Sequence, residues 1–251
     1  MSSSVVSDSE EQRYVIINYI FECAAKLRLS IMTTASAAVI YHKSAAYLEN
    51  TNFDHHVTTT SLSLASKYEE EHVKIRDLIN VAHRTLHPND SHLRISDEYH
   101  RLRNTLVECE LFLIRILGFH CQFSHPHKYL LHYLDTLQNW ITKDEWLRVP
   151  NLVDLCLSIL QDTYYDYHLC AAPSEKDIQP QHRALTCIYL ILQTYQIDIQ
   201  GIDENDHTEW MKVFSSSMTN DILQKIISRI NTMYKNVQKS LDIKTDIKQT
   251  S

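Results

Sequence analysis

Two glycines, Gly118 and Gly201, serve a chain of 251 residues. That scarcity narrows the possible architectures more than any other feature. Sheet proteins and phosphate-cradling loops need backbone at positive φ, and glycine supplies it without steric cost. A chain nearly without it is expected to be all-α, with short connections between helices. Neither G-x-G-x-x-G nor G-x-x-x-x-G-K-[ST] occurs, which argues against P-loop nucleotide binding and against a protein kinase. The hydrophobic share, 44%, is enough for one large core or two small ones.

Apolar residues recur at helical spacing along almost the whole chain. A first helix is expected from Ser9 to Leu27, with Ile16, Ile20, Cys23 and Leu27 on one face. A second runs from Thr33 to Glu49 and opens with small residues, which let a neighbouring helix pack close. A third spans Asp54 to Glu70, a fourth Val73 to Arg84, and a fifth Ser96 to Leu117, stopped by Gly118. The pattern then restarts. Ser124-His125-Pro126-His127 reads as a helix entry leading to Trp140. Further helices follow at 150–167, 181–195, 207–214 and 219–237, with a loop at 172–176. The third helix of each set is the most apolar, as a central helix ringed by others should be. The expected organisation is a flexible terminus at 1–8, a first five-helix unit at 9–122, a second at 123–239 and a flexible tail at 240–251.

The formal charge is −7. This disfavours a nucleic-acid binder or an anionic-membrane binder. No run approaches the roughly 18 apolar residues needed to span a bilayer. Six cysteines show no C-x-x-C spacing, and several fall inside apolar runs. They read as buried free thiols in a reducing compartment, so the expected location is inside the cell, in nucleus or cytoplasm.

One pair of charged residues stands out. Lys67 closes the third helix, and Glu110 falls on one stripe of the fifth with Leu106, Leu113 and Leu117. A carboxylate on that stripe is costly to bury alone and calls for a cation. Lys67 is the candidate, and a buried pair with hydrogen-bonding capacity to spare can read another protein's main chain. The plainer alternative pairs Lys67 with Glu70 or Glu71 along its own helix, and Glu110 with Arg103 or Arg115. The remaining chemistry is thin. Glu69-x-x-His72 has the spacing of di-iron helical bundles, but the nearest second copy, Asp97-x-x-His100, offers Asp for Glu. A solvated helix end is the better reading, and neither metal nor cofactor is expected. His125 and His127 flank Pro126 and read as helix-entry packing.

The strings around the pair resemble the cyclin family. Ala65-Ser66-Lys67-Tyr68-Glu69-Glu70 is similar to the A-x-K-x-E-E end of a third cyclin-box helix. Arg76-Asp77-Leu78-Ile79 resembles the fourth helix of transcription-type cyclins, and Leu113 to Phe119 the end of the fifth. Phe21 to Leu27, Ile40-Tyr41-His42-Lys43 and His125 to Trp140 are most similar to the cyclin Q subfamily, also called cyclin M. The resemblance covers residues 12 to 235. It implies the cyclin fold and a non-enzymatic regulatory subunit of a cyclin-dependent protein kinase, with cyclin-dependent kinase 10 as the partner. It further implies that Lys67 and Glu110 bind main-chain groups beside the kinase's regulatory helix, with Leu64, Tyr68, Ile114 and Phe119 giving apolar contacts. Tyr68 stands where Phe or Val is common and adds a hydroxyl. The M-R-A-I-L substrate-docking patch of cell-cycle cyclins is not matched at Glu10 to Tyr14. General transcription factor IIB shares the double five-helix fold but binds DNA, which an acidic chain does not favour.

Overall fold

The computed structural model describes residues 2–45, 47, 54–90, 93–171, 178–197, 199 and 209–249. Among them there is no strand. The chain divides into two compact units, 1–123 with 236–251, and 124–235. The loop expected at 172–176, Gly201 and the helix start expected at His207 lie outside the described residues.

The first unit holds α1 (Ser2–Leu27), α2 (Ile31–Ala45), α3 (Asp54–Tyr68), α4 (Ile75–Leu86) and α5 (Asp97–Ile116). α3 packs against both α2 and α5. In α2 every residue from Thr33 to His42 is buried, so the helix is surrounded rather than amphipathic. Its alanines and hydroxyls leave room for close approach. α3 is nearly as enclosed, although its middle reads Thr58-Thr59-Thr60-Ser61. Three of these hydroxyls satisfy themselves within the helix. Thr59 donates to the His55 carbonyl at 2.8 Å, Thr60 to His56 at 2.6 Å and Ser61 to Val57 at 2.8 Å. A buried hydroxyl with a partner avoids the desolvation cost of an orphan. α4 buries only Leu78, Ile79 and Ala82 and turns its other face outward.

The helix stops explain how the chain manages with so little glycine. After α5, the Phe119 N–H reaches the Ile114 carbonyl and the Gly118 N–H reaches Arg115, both at 3.0 Å, with Gly118 at φ +58°. This is a Schellman turn. The same pair of bonds ends α1 with Arg28 (φ +57°) in the left-handed position, and α3 with Glu70 (φ +59°). It ends α10 (Pro180–Thr194) with Gln196 at φ +52°. A Cβ in this region costs about 1 kcal/mol or more. Gln196→Gly should therefore raise the unfolding free energy by about 0.5–1 kcal/mol, after the greater entropy of an unfolded glycine is subtracted. Urea denaturation compared with wild type measures it.

Both ends of the chain are more helical than the sequence reading. α1 begins at Ser2 rather than Ser9, and α12 (Asn220–Gln249) runs through the stretch expected to be a tail. No glycine or proline interrupts either stretch, so nothing stops a polar helix from continuing.

The second unit is built from α6 (His127–Leu137), α7 (Lys143–Arg148), α8 (Leu152–Asp162), α9 (Tyr167–Cys170), α10, α11 (Glu209–Phe214) and part of α12. α10 is its centre: His182 to Ile188, Ile191 and Leu192 are buried, against α6 and α8. Leu130, Leu137, Leu160, Leu185, Ile188 and Met211 belong to one continuous core. The helix expected at 150–167 ends earlier, at Asp162. A 3-10 turn, Thr163–Tyr165, follows, and Asp166 then caps α9 by accepting from the Leu169 N–H at 3.0 Å. α7 is an extra helix, started by the Thr142 hydroxyl accepting from the Glu145 N–H.

A polar cluster sits inside this unit. Tyr164 is fully buried, and its hydroxyl is 2.7 Å from Nδ1 of His125. His127 stacks on the Tyr164 ring with an interplanar angle of 12°, and the Arg183 guanidinium lies 4.6 Å from the ring centroid. The histidines beside Pro126 are thus packing residues. Burial, with His127 and Arg183 close by, pushes the His125 pKa down to about 4. Burial and Arg183 do the same to His127, opposed by the hydrogen bond to Gln161. Both imidazoles are held neutral in the fold, whereas in the unfolded chain they protonate near pH 6.5. The unfolded state then binds more protons between about pH 6.5 and pH 4, so stability falls as pH falls through that window. The loss should amount to at most roughly 3 kcal/mol for each histidine. Melting temperatures from pH 7.5 to pH 4.5 should drop for wild type and drop less for His127→Gln.

All six cysteines are free; Cys23, Cys156 and Cys187 are buried and the other three half-buried. Burial pushes the Cys156 thiol up to about 12 and Cys170 to about 11, which makes them poor nucleophiles.

Candidate partner-binding site

The last turn of α3 and the second half of α5 meet in the first unit. Lys67 Nζ donates to both carboxylate oxygens of Glu110, at 2.5 and 2.7 Å. Neither Glu70, Glu71, Arg103 nor Arg115 forms an ion pair with either residue among the described residues. Leu106 and Leu113 bury themselves on either side of Glu110 along α5, which fixes the carboxylate at the edge of the core face. The pair is not buried as the sequence suggested. The Glu110 side chain is 18% exposed, but that of Lys67 is 61% exposed. The long lysine stem lets the ammonium stay hydrated while it meets the carboxylate. Three ammonium hydrogens face two carboxylate oxygens, so donor and acceptor capacity remain on the solvent side.

The other expected contact residues divide. Tyr68 and Phe119 are exposed, Phe119 at 78%, and Ile114 is half-buried. Leu64 is not available: at 6% exposure it points into the core and anchors α3 instead. Phe119 follows Gly118 directly and is itself at φ +63°. A bulky residue in that region is an outlier, held here by the Schellman turn.

Two residues that sequence reasoning missed complete the surface. Val107 and Leu111 are exposed, Leu111 at 55%. With Ile114 they fall at i, i+4 and i+7 on α5, directly beside Glu110 on the side away from the core. The available signal was a helix with apolar residues on both faces. A surplus of that kind marks a helix that buries one face inside and offers the other to a partner. Lys43 on α2 is exposed but has an aromatic neighbour. Its Nζ lies 4.7 Å from the centroid of the Phe123 ring, and burial lowers its pKa.

The glutamates after Lys67 hold structure. Glu69 accepts from the Ser36 hydroxyl at 2.6 Å. Glu71 accepts from the Ser30 N–H with both oxygens, at 3.0 and 3.1 Å. Burial alone would push the Glu71 pKa up, but hydrogen bonds from Thr33 and Ser30 hold it below the usual range. His72 is exposed. Among the described residues no three imidazole, thiol or carboxylate groups are placed to hold one metal ion, and no helix is long and apolar enough to cross a membrane.

Among the described residues the architecture is helical, as the resemblance to cyclins implies. The cyclin N-terminal domain matches residues 2–122. Cyclin-L1 of Gallus gallus is 28% identical over 97% of this chain and 42% of its own length. Cyclin-L2 of Homo sapiens is 27% identical over 97% of this chain and 44% of its own length. Cyclin-T of Drosophila melanogaster is 25% identical over 90% of this chain and 19% of its own. A chain in the crystal structure of the yeast RNA Pol II CTD kinase CTDK-1 complex superposes with a TM-score of 0.67. It has 14% identity and covers 93% of this chain and 68% of that one. The chain has the cyclin fold, its residues 2–122 carry the cyclin N-terminal domain, and it is similar to cyclins over most of its length. It spans less than half the length of these curated relatives.

Proposed function

We propose that this chain is the regulatory and activating subunit of a transcription-associated cyclin-dependent protein kinase, and that the kinase is cyclin-dependent kinase 10. The Lys67–Glu110 pair, set at the rim of an exposed apolar stripe, carries the reading. Such a pair satisfies main-chain groups at the end of a partner helix, while Val107, Leu111, Ile114, Tyr68 and Phe119 cover its apolar side. The similarity to cyclin-L and cyclin-T supports the kinase class, and the strings around His125 to Trp140 support the cyclin Q subfamily. The chain itself performs no chemistry in this role, and it works in the nucleus or cytoplasm, where the kinase is.

Activation is a population shift. A lone kinase keeps its regulatory helix displaced and its lysine–glutamate pair broken. A rigid surface that fits only the inward helix stabilises that state. Moving the balance from 1:99 to 99:1 takes about 5.5 kcal/mol of differential binding. An interface burying about 1,600 Å² can supply it. The test mixes purified chain with purified cyclin-dependent kinase 10. A one-to-one complex by size exclusion, with phosphorylation of a peptide substrate rising on complex formation, is expected. No complex with this kinase, but a stable one with another transcription-associated kinase, overturns the partner and keeps the class. Binding to neither overturns both.

A further inference from the structure

Resting on that reading, we propose that Glu71 is a positioning residue for Lys67, clamping the end of α3 onto the start of α2 so that the Lys67–Glu110 pair meets the kinase already in place. The turn that carries Lys67 would otherwise be the loosest part of α3. It ends the helix, and its left-handed position is filled by Glu70 rather than glycine. Within four residues of Lys67 the chain makes three attachments. The Glu71 N–H returns to the Ser66 carbonyl at 2.8 Å, closing the Schellman turn. Glu69 accepts from the buried Ser36 hydroxyl on α2. The Glu71 carboxylate takes the Ser30 N–H between its oxygens.

The last contact is the distinctive one. Ser30 stands at the entrance of α2, where its hydroxyl accepts from the Thr33 N–H at 3.2 Å and its carbonyl accepts from the Thr34 N–H at 3.1 Å. The Ser30 N–H has no intrahelical acceptor, as is usual at a helix start. A carboxylate there is favoured both as acceptor and by the helix dipole. Glu71 thus caps α2 from the connection that follows α3, and the cap ties down the segment next to Lys67. Glu71 forms no hydrogen bond or ion pair with Glu110 or the Lys67 side chain among the described residues, so its influence on binding runs through the position of the α3 terminus.

A double-mutant cycle tests this with the full chain and purified cyclin-dependent kinase 10. Glu71→Ala should weaken binding about tenfold in the wild-type background and less than about twofold when Lys67 is already alanine, because neighbours that act through one another are not additive. Glu71→Gln keeps one carbonyl acceptor for the Ser30 N–H and should recover most of the loss. It is also the variant to use if the alanine form does not fold by circular dichroism. A merely structural role lowers the folded fraction equally in both backgrounds. Equal losses with and without Lys67 therefore overturn the proposal, as does wild-type binding by Glu71→Ala. If Lys67→Ala alone binds like wild type, the kinase-reading role of Lys67 fails first and the positioning role falls with it.

Discussion

Lys67→Ala and Glu110→Ala should each weaken kinase binding by about 2–5 kcal/mol, roughly 30-fold to several thousand-fold in affinity. Removing the lysine leaves Glu110 facing the partner without its cation, and removing the glutamate strips the acceptor. The same changes should cost the free protein less than about 1 kcal/mol, because an ion pair with a 61% exposed lysine is largely compensated by water. This gap between binding and folding distinguishes a site from a brace. Lys143→Ala, on the exposed start of α7, is the control. Affinity by calorimetry and stability by urea denaturation decide it. Near-wild-type affinity in both variants sinks the site; unfolding in both makes the pair a brace.

The largest effect on folding should come from Tyr164. Its ring is fully buried between His127 and Arg183, so Tyr164→Ala removes an aromatic side chain from a packed interior and should cost about 3–5 kcal/mol. Tyr164→Phe keeps the ring but removes the hydroxyl that faces His125 Nδ1, and should cost about 1–3 kcal/mol. The ordering of the two, measured by chemical denaturation, separates packing from hydrogen bonding. Equal costs would mean that the hydroxyl, not the ring, holds the cluster together.

Much of this was readable in advance, for reasons that also mark where reading stopped. Gly118 announced the end of α5 because a left-handed stop with glycine has a signature. The stops after α1, α3 and α10 use Arg28, Glu70 and Gln196 in the same geometry and announce nothing. Glu110 between Leu106 and Leu113 demanded a cation, and Lys67 met it, because an isolated carboxylate beside a core is expensive whatever the fold. The depth of the pair was misjudged, since spacing places Lys67 on a helix but not the ammonium along its flexible stem. Leu64 and Leu111 illustrate the same limit. Both are apolar residues at helical spacing, yet one is in the core and the other in water. Only the neighbouring helices decide which face is covered. α7 escaped notice because six residues are too few to show a period, and the Glu71–Ser30 clamp because its partners lie far apart in sequence.

The wet apolar stripe of α5 also bears on how much of this protein persists. Leu111 and Phe119 lose water only when something covers them, so a partner that covers them binds the folded chain and not the unfolded one. Thermodynamic linkage then ties apparent stability to the free concentration of that partner, adding about 2.7 kcal/mol when it is present at a hundred times its dissociation constant. The melting temperature of this chain is therefore not a fixed property. It moves with the supply of whatever occupies the stripe.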